Sequence, residues 1–155
     1  MRRGIRIGID VGKVRVGVAR SDADGLLATP VGTFQRESDS LDSVLDAIVA
    51  EVSVLEPLEF VIGLPLSLSG AKTASTADAL AFARALQARV DAEVLLIDER
   101  LTTVSAHSAL RSAGKKSKQT KQIVDQVAAV MILQHALDTE RSSNRQAGKP
   151  ISEFS

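Results

Sequence analysis

Arg6-Ile7-Gly8-Ile9-Asp10-Val11-Gly12, continued by Arg15-Val16-Gly17-Val18-Ala19-Arg20-Ser21, is the stretch that decides the fold. The first run alternates and is β-branched, which predicts a strand. Gly12 supplies a tight turn, and the second run predicts a strand paired antiparallel with the first. Asp24-Gly25 signals a further turn. Residues 27–35 then predict a third strand, and Pro30 places it at a sheet edge because proline cannot donate to a ladder.

Working outward, the pattern changes to helix at residues 39–55, where Leu41, Val44, Leu45, Ile48, Val52 and Leu55 follow the helical period with acids between them. Pro57 ends it. Leu58–Gly63 predicts a short buried strand, residues 63–70 a loop, residues 73–90 an Ala-rich helix, and Glu93–Asp98 another buried strand. A helix is expected from Leu101, capped by Thr102 or Thr103 and ended by Gly114. Residues 115–120 are expected to form a basic loop and 121–140 the last helix. The order is βββαβαβαα. It predicts an α/β fold with a mixed five-stranded sheet flanked by helices, its later strands parallel through helical crossovers. Residues 1–140 are expected to form one domain, and the polar tail 141–155 to be disordered.

Cysteine is absent, which excludes disulfides, thiolate metal sites and a cysteine nucleophile. No apolar run approaches the roughly 18 residues of a membrane span. The N-terminus lacks the apolar region of a secretory signal, so a cytoplasmic location is expected. Nineteen basic and nineteen acidic residues cancel, but they are segregated. Residues 37–59 carry seven acids and no Lys or Arg. Residues 2–20 carry Arg2, Arg3, Arg6, Lys13, Arg15 and Arg20 against Asp10 alone, and residues 111–121 carry five bases and no acid. Such blocks can turn one positive face to a polyanion, and are equally compatible with ordinary solvated helices and loops.

Three acids adjoin the apolar segments. Asp10 sits late in the first strand, where a carboxylate is costly to bury unless it is paired or ligates a cation. Glu99 lies just past the strand 93–98, and ligands in open α/β sheets gather outside strand carboxyl ends. Asp125 stands among Ile123, Val124, Val127, Ala128 and Ala129, although Asp is a poor mid-helix residue. An all-carboxylate set suits a hard cation, Mg2+ or Mn2+. Each acid also has a plainer reading: a strand end for Asp10, a pair with Arg100 for Glu99, a favourable helix start for Asp125. His107 and His135 read as partly buried structural residues, Asp22 as a turn residue, and Asp98 as a reserve ligand that strand alternation points away from Glu99.

Three segments resemble a known family when taken together: Gly8–Gly12 leading to Arg15–Asp22; Val61-Ile62-Gly63-Leu64-Pro65-Leu66; and Asp98-Glu99-Arg100-Leu101-Thr102-Thr103 followed by Asp125–Gln134. In this order and spacing they resemble the YqgF family, also called RuvX, over roughly residues 5–138. Its members are assigned to Holliday junction resolution and to maturation of pre-16S ribosomal RNA. The resemblance implies a ribonuclease-H-like fold, with Asp10, Glu99 and Asp125 as catalytic metal ligands. Two positions depart from the family pattern. Val14 replaces a usual Lys before Arg15, and Ser67-Leu68-Ser69-Gly70 replaces a loop that commonly carries Asn and an acid before Gly.

The expected activity is metal-dependent hydrolysis of nucleic-acid phosphodiesters, with two ions about 3.5–4 Å apart. Arg15, Arg100, Lys115, Lys116, Lys118 and Lys121 would contact phosphates. Precursor rRNA is the expected substrate, with branched DNA as the alternative, because two symmetric cuts need a two-fold dimer. Phe60 reads as core and Phe154 as tail, leaving Phe34 and Phe82 as the aromatics open to an interface, so a monomer is favoured over a dimer. A sugar-kinase or actin-like ATPase shares the opening hairpin but needs a second large domain. A non-catalytic nucleic-acid or ribosome-binding module is the other alternative.

Overall fold

In the computed structural model, which describes residues 1–37, 40–101 and 118–154, alternation along β1 (Arg6–Val11) sorts its side chains onto two faces. Ile7, Ile9 and Val11 enter the larger core cluster, while Arg6, Gly8 and Asp10 take the opposite face. β2 (Arg15–Ser21) pairs antiparallel with β1, and β3 (Ala28–Gln35) antiparallel with β2. Pro30 does lie in the edge strand. There the register skips Val31, since Val18 pairs with Gly32 and Ala19 with Pro30.

β4 (Glu59–Leu64) runs parallel to β1, and β5 (Glu93–Asp98) parallel to β4. Helix α1 (Asp42–Val52) and helix α2 (Ala74–Gln87) are the crossovers, and both pack on the Ile7 face. Thr73 and Thr76 cap the start of α2 reciprocally. The last helix, α3 (Lys118–Ser143), covers the other face with Ala129, Leu133 and Leu137 over Ala19 and Ala28, and with Ile132 and Ala136 against Val61 and Ile97. Small residues beneath it allow close approach: a methyl carbon at Gly8 would meet the Ala129 carbonyl at 3.0 Å and the Leu133 Cβ at 2.6 Å.

Four expectations need correction. The sheet has six strands in the order β3-β2-β1-β4-β5-β6, not five, because Lys149–Pro150 (β6) pairs antiparallel with Leu95 and Leu96 of β5. Residues 142–154 accordingly take defined structure where a disordered tail was expected. α3 continues to Ser143, and Ile151 and Phe154 pack against the core. A two-residue strand has no alternation to read, so only docking reveals it. Phe82, expected to be open to an interface, is wholly buried in α2. Beyond Leu101, which ends a short 3-10 turn (Glu99–Leu101), the expected helix to Gly114, together with His107, Lys115 and Lys116, lies outside the described residues. Lys118 begins α3 rather than belonging to a loop.

A buried ion network ties the amino end of β1 to the end of α3. Arg6, only 1% exposed, donates to Glu140 at 3.0 Å. Arg2 bridges Glu140 at 2.5 Å and Glu59 at 2.9 Å. Burial opposes ionisation of Glu140, but the hydrogen bonds and charges of Arg2 and Arg6 outweigh it and hold the carboxyl below its ordinary range.

Candidate active site

Parallel β1, β4 and β5 end on the same side of the sheet, and β2 begins there. Asp10 lies in β1 at 8% exposure. Its antiparallel partner across the ladder is Gly17 of β2. On the other side Ile9 pairs with Ile62, so the next step of the parallel register sets Gly63 beside Asp10. Neighbours in register share a face, so Asp10 is flanked by two residues without side chains, on the face that α3 covers.

The other two acids lie over those glycines. The backbone of Asp125 rests on Gly17: an added methyl would meet the Asp125 carbonyl oxygen, with its carbonyl carbon at 2.7 Å. The carboxylate of Glu99 lies over Gly63, where an added methyl would meet Glu99 Oε1 at 2.6 Å. Asp10, Glu99 and Asp125 thus belong to one row across β2, β1 and β4. They do not form a closed centre in this arrangement: among the described residues no group of three His, Asp or Glu could hold a metal ion. The donor set itself, all carboxylate oxygen with no His or Cys, is of the type that suits Mg2+ or Mn2+.

The Asp125 carboxylate, 6% exposed as a residue, accepts from Arg15 Nε at 2.9 Å. It lies seven positions after Lys118, about two helical turns. The helix-start explanation of its position is therefore set aside, because the dipole acts only within the first turn.

Arg100 forks onto Asp98 with Nε at 3.0 Å from both oxygens and Nη2 at 2.6 Å from Oδ2. That pairing holds the Asp98 carboxyl below its usual range. Arg100 Nη1 also donates to the Leu68 carbonyl at 3.2 Å, bracing the loop that follows β4. The loop closes on itself through Ser67, whose carbonyl accepts from Gly70 N at 2.8 Å. Lys118 and Lys121 lie in the first turns of α3, ahead of Asp125. His135 is half-buried on α3, and Asp22 shapes the turn as expected, accepting from Leu26 N and Leu27 N at 2.8 and 2.9 Å.

Sequence reasoning missed Arg36. Its guanidinium forks onto Asp78 of α2 at 2.7 and 3.0 Å and donates to the Gly12 carbonyl at 2.7 Å. It therefore fixes the hairpin two residues beyond Asp10. The one signal in the chain was Asp78 itself, another acid inside a helix. Gln126 was also missed, although its amide reaches Thr33 of β3 at 3.2 Å and secures the helix beside Asp125.

This mixed sheet, with acids at the carboxyl ends of its central strands, is a ribonuclease-H-like fold. It is similar to Thermus thermophilus RuvC in complex with a Holliday junction substrate (TM-score 0.55, 14% identity, 95% of this chain and 99% of that one). It is likewise similar to T. thermophilus RuvC (TM-score 0.51, 16% identity, 94% and 99%). The family model described as "RuvX: Holliday junction resolvase" matches residues 4–139, and the chain belongs to that family. Relatives named "Putative pre-16S rRNA nuclease" include one from Leifsonia xyli subsp. xyli, 56% identical over 97% of this chain and 96% of that protein. Another, from Clavibacter michiganensis subsp. michiganensis, is 51% identical over 96% of this chain and 91% of its own length. By its family the chain is a nuclease, a hydrolase of phosphodiester bonds.

Proposed function

We propose that this chain is a divalent-metal-dependent endonuclease that cuts precursor ribosomal RNA, with Asp10, Glu99 and Asp125 as its catalytic carboxylates. The observation that carries this reading is the row of Asp10 between Gly17 and Gly63, each glycine lying under one of the other two acids. The names of relatives that match nearly the whole chain support the RNA substrate.

The three carboxylates would hold Mg2+ or Mn2+, which when bound supplies Lewis-acid activation of water and neutralises charge at the scissile phosphate. The protein's own contribution is positional. Gly17 and Gly63 leave room for Asp125 and Glu99 to lie on either side of Asp10. Arg36 fixes the hairpin carrying Asp10 by way of Gly12. Arg15, Lys115, Lys116, Lys118 and Lys121 contact phosphate oxygens, and Arg100 does so with the donors that Asp98 and Leu68 leave. Backbone contacts of this kind orient a strand without reading its bases.

A monomer suffices for a single-strand cut. The burial of Phe82 and the partial burial of Phe34 and Phe154 leave no exposed aromatic anchor for self-association among the described residues. No helix among those residues is long and apolar enough to cross a membrane. The cytoplasm, where precursor rRNA is made in bacteria, is the compartment we assign. The deciding experiment compares cleavage of precursor rRNA and of four-way DNA junctions, with and without Mn2+. Paired symmetric nicks on the junction and none in the RNA would replace this reading with junction resolution. Binding without cleavage of either would replace it with a non-catalytic module.

A further inference from the structure

The ion pair of Arg15 with Asp125 joins side chains that are 15% and 9% exposed, at one of the three carboxylates of the proposed metal site. Both ends are fixed by main chain. Arg15 opens β2, its carbonyl accepts from Gly12 N at 3.0 Å, and it pairs across the sheet with Gln35. The Asp125 backbone rests on Gly17, two residues further along the same strand. Positions two apart in a strand share a face, so Arg15 rises beside the spot where Asp125 is seated. Any change of partner must then be a side-chain movement, with sheet and helix standing still. A buried carboxylate needs a cationic partner, and a guanidinium and a divalent ion are alternatives for the same oxygen.

We propose that Arg15 is a resident counter-ion. It neutralises Asp125 while no divalent ion is bound, is displaced from that carboxylate when an ion enters, and then becomes available to a substrate phosphate. The inference rests on the metal reading above and adds an order of events to it: ion loading precedes full phosphate binding by Arg15.

The test is Mn2+ titration by calorimetry on the full chain without nucleic acid, for the wild type, Arg15→Gln and Arg15→Lys, with thermal unfolding of each in metal-free and Mn2+-saturated buffer. Removing the competitor should tighten Mn2+ binding about tenfold in Arg15→Gln. Arg15→Lys keeps the charge but loses the Nε hydrogen bond, so it should tighten binding by a smaller factor. Metal-free Arg15→Gln should melt several degrees below the wild type, and saturating Mn2+ should close most of that gap. Equal or weaker Mn2+ affinity in both variants overturns the counter-ion role while leaving the metal centre standing. Absence of Mn2+ binding in the wild type and both variants overturns the metal reading and this inference with it. If Arg15→Gln does not fold, Arg15→Lys decides alone: tighter binding than the wild type supports the proposal, and equal or weaker binding refutes it.

Discussion

Adding one methyl at Gly63 and one at Gly17 should separate catalysis from folding. At Gly63 the new carbon would meet Glu99 Oε1 and Ile132 Cδ1, each at 2.6 Å. Both are the far ends of flexible side chains, so each can turn aside. Overpacking costs roughly 1–3 kcal/mol, and relief by rotation keeps this case near the lower end. Replacing glycine by alanine in a strand returns about 0.5–1 kcal/mol. The net change for Gly63→Ala is therefore small, within about 1 kcal/mol. At Gly17 the new carbon would meet the carbonyl oxygen of Asp125, with the carbonyl carbon at 2.7 Å. Backbone cannot rotate away, so α3 itself must shift, at about 3 kcal/mol or more before the same small return. For a chain of this size about 2 kcal/mol of difference is roughly 4–8 °C in melting temperature. Activity should follow the opposite logic in Gly63→Ala. Moving the Glu99 carboxylate by about 1 Å should lower the cleavage rate on the order of 100-fold in a well-folded protein. Urea and thermal unfolding, set beside single-turnover cleavage of precursor rRNA in Mn2+, provide both readings. Full activity in Gly63→Ala, or equal destabilisation by the two substitutions, would refute the proposed seating of Glu99 and Asp125 over these glycines.

Asp10→Asn should abolish cleavage while gel-shift affinity for precursor rRNA changes little, since phosphate contacts dominate docking; parallel loss of both would count against a catalytic role. Glu140→Gln should destabilise the protein by about 3 kcal/mol near neutral pH, because it leaves the buried Arg6 charge without its carboxylate. The lowered ionisation range of Glu140 means that its contribution is complete above the ordinary carboxyl pKa of 4.5 and is lost as pH falls through the lower folded-state value. The difference between variant and wild type in urea melts should therefore shrink as pH drops below about 4. Replacing Lys115, Lys116, Lys118 and Lys121 with alanine should flatten the salt dependence of RNA binding by roughly 0.7–0.9 in slope for each phosphate-bound lysine removed, and an unchanged slope would return these residues to ordinary solvated surface.

Local chemistry made the central elements legible. Alternation over Arg6–Val11, the glycine turn, the edge proline and the helical spacing from Leu41 are one-dimensional signals, and the strands and crossover helices follow them. The three acids of the proposed site stood out for a related reason: carboxylates beside apolar segments violate the pattern around them. What could not be read were relations between distant positions. Lys149–Pro150 becomes a strand only because β5 has an open edge to pair with, and two residues alone carry no period. Arg36 matters through Asp78 and the Gly12 carbonyl, 42 and 24 positions away. Arg15 and Arg100 were visible as cations, but not that each already holds a carboxylate. Residue type and spacing determined which charges exist and which strand or helix carries them. Only the tertiary structure decided which charges face each other, because pairing energy depends on distances that the sheet register and the seating of α3 on its glycines set.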